Sequence, residues 1–252
     1  MERSGRSVLV TGASRGIGAA IARAFADNGD RVGLHFTSSR SRAEEVLASL
    51  AGTGHVLARA DLRDPDEIRV MVDTAATALG GIDVLVNNAG VFMAHPIESV
   101  DYQTWQDAWR ETLGVNLVGA ANVTWCALQH MPREGGARIV NVGSRGAFRG
   151  EPKNPAYGAS KAGIAAFGQS IAKSLGTVGI AVTTLAPGYV DTDMAAETLA
   201  GPRGDEIRQQ SPFDRVPSAD EVAAAVLFLA SPAAEWASGS VLDFNGASYF
   251  RL

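Results

Sequence analysis

The chain has 252 residues, of which 46% are hydrophobic and 19% are charged, enough to build the core of one α/β domain. Its net charge of −5 and its lack of charge blocks argue against a nucleic-acid partner. The single cysteine, Cys126, excludes an intrachain disulfide framework, and no apolar run approaches the ~20 residues that cross a bilayer. We therefore expect a soluble cytoplasmic protein without a membrane segment.

Short apolar runs rich in β-branched residues alternate with longer stretches of helical character. The predicted strands lie, in chain order, at 8–10, 31–36, 55–58, 82–86, 138–142, 180–185 and 240–244. The predicted helices run from the glycine loop to about 27, at 41–51, from 64 onward, at about 100–131, at 156–176 and at 219–230. This alternation and the nearly all-apolar strands indicate a parallel sheet with helices on both faces, in a single domain over 1–252.

The stretch 190–217 is the least regular part of the chain, because it contains the sequences G-P-R-G and S-P-F-D-R-V-P. It connects the sixth predicted strand to the last predicted helix. Long excursions of this kind in compact domains often close over a ligand, so we interpret 190–217 as a substrate-binding lid. A plain surface insertion is the alternative.

A glycine-rich turn, T-G-A-S-R-G-I-G at 11–18, connects the first strand to the first helix. Gly12 would allow the tight turn, Gly16 the close approach of backbone N–H groups to a phosphate, and Gly18 the packing of helix against strand. The N-terminus of the helix then offers N–H donors and partial positive charge to a pyrophosphate. The spacing differs from the G-x-G-x-x-G fingerprint, so a plain tight turn is the alternative.

The same loop also fits a second motif, because Ser14 lies at the serine of a G-x-S-x-G nucleophile elbow. A serine hydrolase needs an acid and then a histidine later in the chain, and the C-terminal half contains no histidine. The histidines also show no metal-ligand spacing, so we expect no metal site. They are His35, His55, His95 and His130.

Tyr157 and Lys161 are four residues apart in Y-G-A-S-K, at the start of a predicted helix. Reduction of a ketone places negative charge on its oxygen, and a tyrosine hydroxyl can supply the proton that this oxygen needs. The free tyrosine pKa is about 10, and an ammonium group one helical turn away favours tyrosinate and lowers that pKa. Such pairs also arise by chance, so an ordinary amphipathic helix start is the alternative.

Seven short motifs follow one another along nearly the whole chain. They are T-G-A-S-R-G-I-G (11–18), A-D-L (60–62), N-N-A-G (87–90), V-N-L (115–117), Ser144, Y-x-x-x-K (157–161) and P-G-Y-V-D-T (187–192). In this order and spacing the chain resembles the short-chain dehydrogenase/reductase family, with the 3-oxoacyl-carrier-protein reductase branch closest in appearance. The resemblance implies a doubly wound Rossmann sheet in the order 3-2-1-4-5-6-7 and hydride transfer between nicotinamide and a ketone or secondary alcohol. It also implies a homotetramer, with a monomer as the alternative.

The resemblance also implies catalytic roles. Tyr157 would be the acid/base, Lys161 would modulate its pKa and hold the nicotinamide ribose, and Ser144 would hydrogen-bond the substrate oxygen. Asn116 would hold a water that links Lys161 to solvent. The structural alternatives are a simple loop hydroxyl for Ser144 and a helix cap or kink for Asn116. A non-catalytic dinucleotide-sensing protein is a further alternative, against which the intact Ser144, Tyr157 and Lys161 argue.

The expected cofactor is NADP(H), with NAD(H) as the alternative. The end of the second strand, 36–40, has hydroxyls and Arg40 but no carboxylate that would repel a 2′-phosphate, and Arg15 adds a second guanidinium. The resemblance places Asp61 and Leu62 near the adenine. The full expected cofactor set is Gly12, Ser14, Arg15, Gly16, Ile17, Gly18, Thr37, Ser38, Arg40, Asp61, Leu62, Asn88, Ala89, Gly90, Tyr157, Lys161, Pro187, Gly188, Val190 and Thr192.

The substrate is less defined by the sequence. Arg145, Arg149 and Lys153 follow Ser144 closely, which favours an anionic substrate or marks a solvated loop. The stretches 177–179 and 212–217 depart from the carrier-protein reductase pattern, which puts acyl-carrier-protein docking in doubt. The candidate pocket residues are Met93, His95, Tyr189 and Met194.

These observations together predict an NADP(H)-dependent oxidoreductase that acts on a small-molecule carbonyl or alcohol. A 3-oxoacyl-carrier-protein reductase-like enzyme and a small-ketone carbonyl reductase are the two forms of this prediction. An NAD-dependent alcohol or sugar dehydrogenase of the same family is the alternative.

Overall fold

Seven strands form one parallel sheet in the order β3-β2-β1-β4-β5-β6-β7 in this computed structural model, which describes residues 5–133 and 135–251. This confirms the predicted fold class and strand order. The predicted domain of 1–252 also includes residues 1–4, 134 and 252, which lie outside the described residues. The strands are β1 (Ser7–Val10), β2 (Arg31–Phe36), β3 (Val56–Arg59), β4 (Val84–Asn87), β5 (Arg138–Val142), β6 (Ala181–Pro187) and β7 (Val241–Phe244).

Ten α-helices accompany the strands in this part of the chain. A π-helical turn (Gly114–Gly119) joins α4 to α5, and 3-10 turns lie at Gly176–Val178 and Pro232–Ala237. The helices are α1 (Gly16–Asp27), α2 (Arg40–Ala48), α3 (Pro65–Leu79), α4 (Tyr102–Leu113), α5 (Ala120–Ala127), α6 (Gly146–Arg149), α7 (Pro155–Leu175), α8 (Asp193–Ala200), α9 (Gly204–Gln209) and α10 (Ala219–Leu229).

The core has two layers, one on each face of the sheet. Because successive side chains of a strand point to opposite faces, Val8 and Val10 pack with α1 and α10, whereas Leu9 packs with α3 and α5. β1, β4 and β5 are buried along their whole length, which explains why they read as apolar runs rather than alternating patterns. The order of the strands reverses between β1 and β4, so a crevice opens at their carboxyl ends.

Local signals in the sequence set the ends of several helices. Asp64 accepts N–H groups of Asp66 and Glu67, Pro65 opens the first turn, and Gly80 ends α3 with a left-handed φ of 75°. Ser218 and Glu221 form a reciprocal capping box at the start of α10. The predicted starts of both helices are therefore confirmed.

Two helical regions differ from the sequence prediction. The stretch 100–131 is mostly helical, as predicted, but a π-helical turn at 114–119 lies between α4 and α5. The stretch 190–217 is more regular than predicted, because it contains α8 and α9. Proline and glycine dominate the pattern there, but the short segments between them, A-A-E-T-L-A and D-E-I-R-Q, are made largely of good helix formers.

In the described part of the chain, no helix combines the length and the apolar character that spanning a membrane requires.

The Cys126 thiol is buried on α5, and this burial raises its pKa. A buried thiol with a raised pKa is a weak nucleophile, so Cys126 is a packing residue of the core.

Candidate active site

A cleft of about 400 Å³ opens where the carboxyl ends of the central strands meet. The loop after β1, the segments after β2 to β6 and the start of α7 line it. All of the expected catalytic and cofactor residues line this cleft except Arg40 and Asn116. The folded chain therefore brings together residues that are up to 180 positions apart in the sequence, Gly12 and Thr192 among them.

The glycine loop has the backbone that its sequence predicts. Gly12 and Gly16 have left-handed φ values of 65° and 53°, which residues other than glycine rarely adopt. A Cβ at Gly18 would lie 2.2 Å from the Gly12 carbonyl oxygen, so only glycine lets α1 approach the loop. The first N–H groups of α1 have no capping side chain and face the cleft, where an anion would satisfy them.

Asn88 and Thr11 hold this loop to the end of β4. The Asn88 amide nitrogen donates to the carbonyl oxygens of Thr11 and Gly12, at 2.9 and 3.2 Å. The Thr11 hydroxyl accepts the N–H groups of Asn88 and Ala89, at 2.9 and 3.0 Å. Asn88 therefore uses its side-chain amide to fix the loop, a role that the sequence prediction did not assign to it.

His35, which the sequence analysis did not single out, supports the loop from β2. Its Nδ1 accepts the Gly12 N–H at 3.0 Å, and its Nε2 donates to the Ala60 carbonyl oxygen at 3.1 Å. Burial lowers the His35 pKa to about 4, so the imidazole is neutral near pH 7 and carries its proton on Nε2. Because backbone groups occupy both ring nitrogens, His35 supplies no general base for Ser14, and the nucleophile-elbow alternative loses support.

We expect His35→Leu to weaken binding of the nicotinamide cofactor by about tenfold, because it leaves the partly buried Gly12 N–H without its acceptor. His35→Asn is the matched variant, since its amide oxygen can replace Nδ1, and we expect it to retain most of the affinity. Fluorescence titration with NADPH would measure both, with thermal unfolding as the control for folding. Equal affinity of the Leu variant and the parent would show that the loop needs no support from His35.

Asp61 and Arg40, both expected near the adenosine, differ in their placement. Arg63 donates a hydrogen bond of 2.9 Å to the Asp61 carboxylate and lowers the Asp61 pKa. Its guanidinium also donates a hydrogen bond to Glu111, which lines the cleft as well. The exposed Arg40 guanidinium pairs with Glu44 one turn along α2, at 2.8 Å, and does not line the cleft, so its role toward a 2′-phosphate stays a prediction. Thr37, Ser38 and Ser39 line the cleft instead, and Arg15 is the exposed cation beside them.

The catalytic helix α7 begins at Pro155, which places Tyr157 in its first turn and Lys161 in its second. The ring of Phe92 packs edge-on against Tyr157, with ring centres 4.8 Å apart. The Lys161 ammonium donates to the Val142 carbonyl oxygen at 2.8 Å and lies 5.7 Å from the centre of the Tyr157 ring. Ser144, two residues after β5, lines the same part of the cleft.

The acidities in the cleft differ from the sequence expectation. Burial raises the Tyr157 pKa to about 12, and a hydrogen bond with Ser144 opposes this rise without cancelling it. Burial also lowers the Lys161 pKa to about 8. The Tyr157 pKa is therefore raised by burial rather than lowered, and the expected effect of Lys161 on it stays a prediction. The Tyr157 hydroxyl keeps its proton near pH 7 and can donate it.

Asn116 lies behind the cleft wall, in the π-helical turn. Its Oδ1 accepts the Val91 N–H at 2.8 Å, and its Nδ2 donates to the Val91 carbonyl oxygen at 3.0 Å and to Ser160 Oγ at 3.1 Å. Because these protein groups engage its amide, the side chain ties the segment after β4 to α7 rather than facing the cleft. Its role in a water relay stays a prediction.

His95, a candidate pocket residue, is fully buried and is not part of the cleft wall. Its Nδ1 donates to the Met93 carbonyl oxygen at 2.8 Å, and its Nε2 accepts the Ala156 N–H at 3.1 Å. His95 therefore satisfies an N–H at the start of α7, next to Tyr157. The side chain of Met194, also a pocket candidate, lies outside the described part of the structure.

Comparison with known proteins agrees with this geometry. The sequence profile described as short chain dehydrogenase matches residues 6–202. The chain is 33% identical to a 3-oxoacyl-(acyl-carrier-protein) reductase of Staphylococcus aureus, over 97% of this chain and 98% of the relative. It is 37% identical to the cis-4-hydroxycyclohexanecarboxylate dehydrogenase of Sinomonas cyclohexanicum, over 96% and 95% of the two chains.

A solved structure shows the same fold. It is a short chain dehydrogenase from Burkholderia cenocepacia in complex with NADP, with a TM-score of 0.87, 36% identity and coverage of 97% of each chain. The sheet order, the glycine loop and the Ser144, Tyr157 and Lys161 cluster lead to the same conclusion as these similarities. The chain belongs to the short-chain dehydrogenase/reductase family and is an oxidoreductase.

Proposed function

We propose that the protein is an NADP(H)-dependent carbonyl reductase that converts a ketone to a secondary alcohol. The observation that carries this proposal is the arrangement of Ser144, Tyr157 and Lys161 in one cleft, where Ser144 forms a hydrogen bond with the Tyr157 hydroxyl. Burial raises the pKa of this hydroxyl, so it holds a proton at neutral pH that it can donate to the oxygen of a ketone during reduction. An NAD-dependent alcohol or sugar dehydrogenase remains the alternative.

The cleft fits a dinucleotide cofactor. The left-handed Gly12 and Gly16, the uncapped start of α1 and the loops after the strands form a continuous cradle, and the absence of a Cβ at Gly18 lets α1 pack against the loop. When bound, NADPH supplies the hydride that adds to the carbonyl carbon. We assign the phosphates to the loop at 12–18, and the carboxamide to the segment at 187–192.

The chain's own groups complete the reduction. Ser144 donates a hydrogen bond to the substrate oxygen and holds the carbonyl, while Tyr157 transfers its hydroxyl proton to the same oxygen as hydride reaches the carbon. Lys161, anchored on the Val142 carbonyl oxygen, places its charge under the Tyr157 ring and stabilises the tyrosinate that forms. A proton from solvent then restores the tyrosine.

Preference for NADP(H) rests on charge at the end of β2. The stretch 37–39 has hydroxyl groups and no carboxylate, and Arg15 lines the cleft nearby. The similar structure from Burkholderia cenocepacia contains NADP, which supports the same preference. Titration of tryptophan fluorescence with NADPH and NADH at one protein concentration tests it. Tighter binding of NADH would contradict the proposal, and binding of neither would contradict the function as a whole.

The substrate of the proposed reaction is a small carbonyl compound. The Staphylococcus aureus relative is a 3-oxoacyl-(acyl-carrier-protein) reductase, so an acyl-carrier-protein substrate belongs in the assay panel beside small ketones.

The stretch 190–217 is proposed as the lid, since Val190 and Thr192 line the cleft. Asp193 of α8 also pairs with Arg42 of α2, at 3.6 Å. Faster proteolysis of this stretch without NADPH than with it would support a closing lid.

The pH profile of reduction tests the role of Lys161. Below pH 8 Lys161 is an ammonium, and as pH rises through about 8 it loses the charge that supports the reaction. Tyr157 keeps its proton well above this pH. We expect kcat/KM for ketone reduction to be level near pH 7 and to fall above about 8. Lys161→Met should be slow at every pH and lack this fall, whereas a parent profile that rises through pH 8 would contradict the assignment.

A homotetramer and a cytoplasmic location complete the proposal. Large apolar side chains are exposed on two faces, with Val118 and Trp125 on the α5 side and Phe228 and Trp236 near α10. Exposed apolar patches of this kind support subunit contacts. Sedimentation velocity would distinguish four chains from one. The single cysteine, Cys126, is buried and free of a disulfide, which supports the reducing compartment that a cytoplasmic location provides.

A further inference from the structure

Arg145, the residue after Ser144, is a buried cation at the edge of the proposed active site. Only 4% of Arg145 is exposed, and its backbone N–H donates to the Pro187 carbonyl oxygen at 2.8 Å. Its guanidinium donates to the Gln210 side-chain oxygen at 2.7 Å and to the Ser248 hydroxyl, and it lies over the ring of Tyr189 at 5.3 Å. All of these acceptors are neutral.

No carboxylate forms an ion pair with Arg145 among residues 5–133 and 135–251. The equally buried Arg138 shows the usual arrangement, because its guanidinium pairs with Glu235 at 2.9 Å. Burial of a cation without an ion-pair partner is unfavourable. Burial and the nearby charge of Arg149 lower the Arg145 pKa, and the nearby Glu151 carboxylate opposes them without forming an ion pair. A buried cation without an ion-pair partner, next to Ser144 of the proposed active site, is a candidate site for an anion.

The surroundings of Arg145 connect it to the reacting groups. The Tyr189 ring packs against the Arg145 guanidinium at 5.3 Å, and Tyr189 also raises the Tyr157 pKa, so it is near both groups. Arg149, one turn along α6, is exposed and shares the Gln210 oxygen at 3.3 Å. Neither Arg149 nor Lys153 forms an ion pair within the described residues, but only Arg149 joins Arg145 at Gln210.

We propose that the substrate is a keto acid, whose carboxylate binds Arg145 and Arg149 while its ketone binds Ser144 and Tyr157. This inference rests on the proposed reductase function and names the substrate class of that site. Hydride adds to the ketone carbon, the Tyr157 proton goes to the ketone oxygen, and the carboxylate is unchanged. The charge pairing selects the substrate and sets its position, since a guanidinium binds a carboxylate through two parallel hydrogen bonds.

Keto acids and their methyl esters test this proposal, because each pair has the same ketone and differs by one charge. The probes are 4-oxopentanoate, 5-oxohexanoate and 6-oxoheptanoate with their methyl esters, assayed with NADPH at low and high salt. We expect kcat/KM to favour at least one acid over its ester by about tenfold or more, and salt to reduce only the acid rate. Equal use of acids and esters throughout the series would overturn the keto-acid assignment.

Substitutions identify the residues that bind the carboxylate. Arg149→Gln, on an exposed side chain, should raise KM for the preferred acid about tenfold and leave the ester unchanged. Arg145→Gln should do the same, with thermal unfolding as its folding control, and Lys153→Gln, from the same exposed segment, should change neither substrate. If both arginine variants affect acid and ester equally, the two residues are structural supports and the proposal fails.

The outcome for the proposed function is separate. Reduction of the esters at the same rate as the acids would retain the reductase function and remove only the keto-acid inference. If neither class is reduced, the proposed reduction of these ketones fails, and fluorescence titration with the same acids and esters then decides whether the site binds a carboxylate. Preferential binding of the acid, lost in Arg149→Gln, would support the anion site, and equal binding would overturn it.

Discussion

Tyr157→Phe is expected to lower kcat for ketone reduction by about 10³-fold and to leave the affinity for NADPH unchanged. The substitution removes only the hydroxyl, which in this structure holds its proton with a pKa of about 12 and is the proposed proton donor. The aromatic ring still packs against Phe92 and over the Lys161 ammonium, so the fold and the cofactor cradle should persist. Steady-state rates and fluorescence titration would separate the two effects.

Tyr102→Phe is the matched control, because Tyr102 is an exposed tyrosine at the start of α4 and lies outside the cleft. It should retain the parent rate and the parent NADPH affinity. Substantial turnover by the Tyr157 variant would mean that another group protonates the substrate. Loss of NADPH binding together with the rate would mean that the hydroxyl has a structural role instead.

Gly18→Ala is expected to weaken NADPH binding by at least tenfold and to lower the melting temperature by about 4–8 °C. The new Cβ would lie 2.2 Å from the Gly12 carbonyl oxygen and 2.5 Å from Asn88 Nδ2. The first is a backbone atom that cannot move without distorting the glycine loop, and the second belongs to the amide that holds the loop in place. Overpacking of this kind destabilises proteins by about 1–3 kcal/mol.

Gly176→Ala serves as the control for the Gly18 variant. Gly176 ends α7 with an ordinary helical φ of −57°, and nothing lies within 4 Å of where its Cβ would be. Alanine at this position should leave both the melting temperature and NADPH affinity near the parent values. A Gly18 variant that behaves like the Gly176 variant would show that the loop tolerates the methyl group, against the close packing described above.

Much of the fold could be predicted from the sequence because its signals are local. The positive φ of Gly12 and Gly16, the Asp64–Pro65 start of α3 and the capping box at Ser218 each depend on a few consecutive residues. The alternation of apolar strands with helices indicated the layers of the domain. Strand order and the placement of Ser144, Tyr157 and Lys161 in one cleft came instead from the order of motifs shared with a family.

The prediction for 190–217 was less successful, because two local features compete there. The stretch contains enough proline and glycine to look irregular, but helix formers between them build α8 and α9. Arg40 shows a similar competition, since it follows a strand end that suits a phosphate and also pairs with Glu44 on the surface of α2. Its role toward a phosphate stays a prediction.

Local sequence specifies the elements, the glycine loop and the residue types of the proposed catalytic cluster, because consecutive residues set turns, caps and amphipathic faces. The burial and the long-range contacts of those residues depend on the assembled fold. Burial raises the Tyr157 pKa, His35 supports Gly12 from the next strand, and Arg145 meets Gln210 and Ser248 from distant parts of the chain. Solvent exclusion and contacts between distant segments exist only after the sheet and its helices have assembled, so no local pattern encodes them.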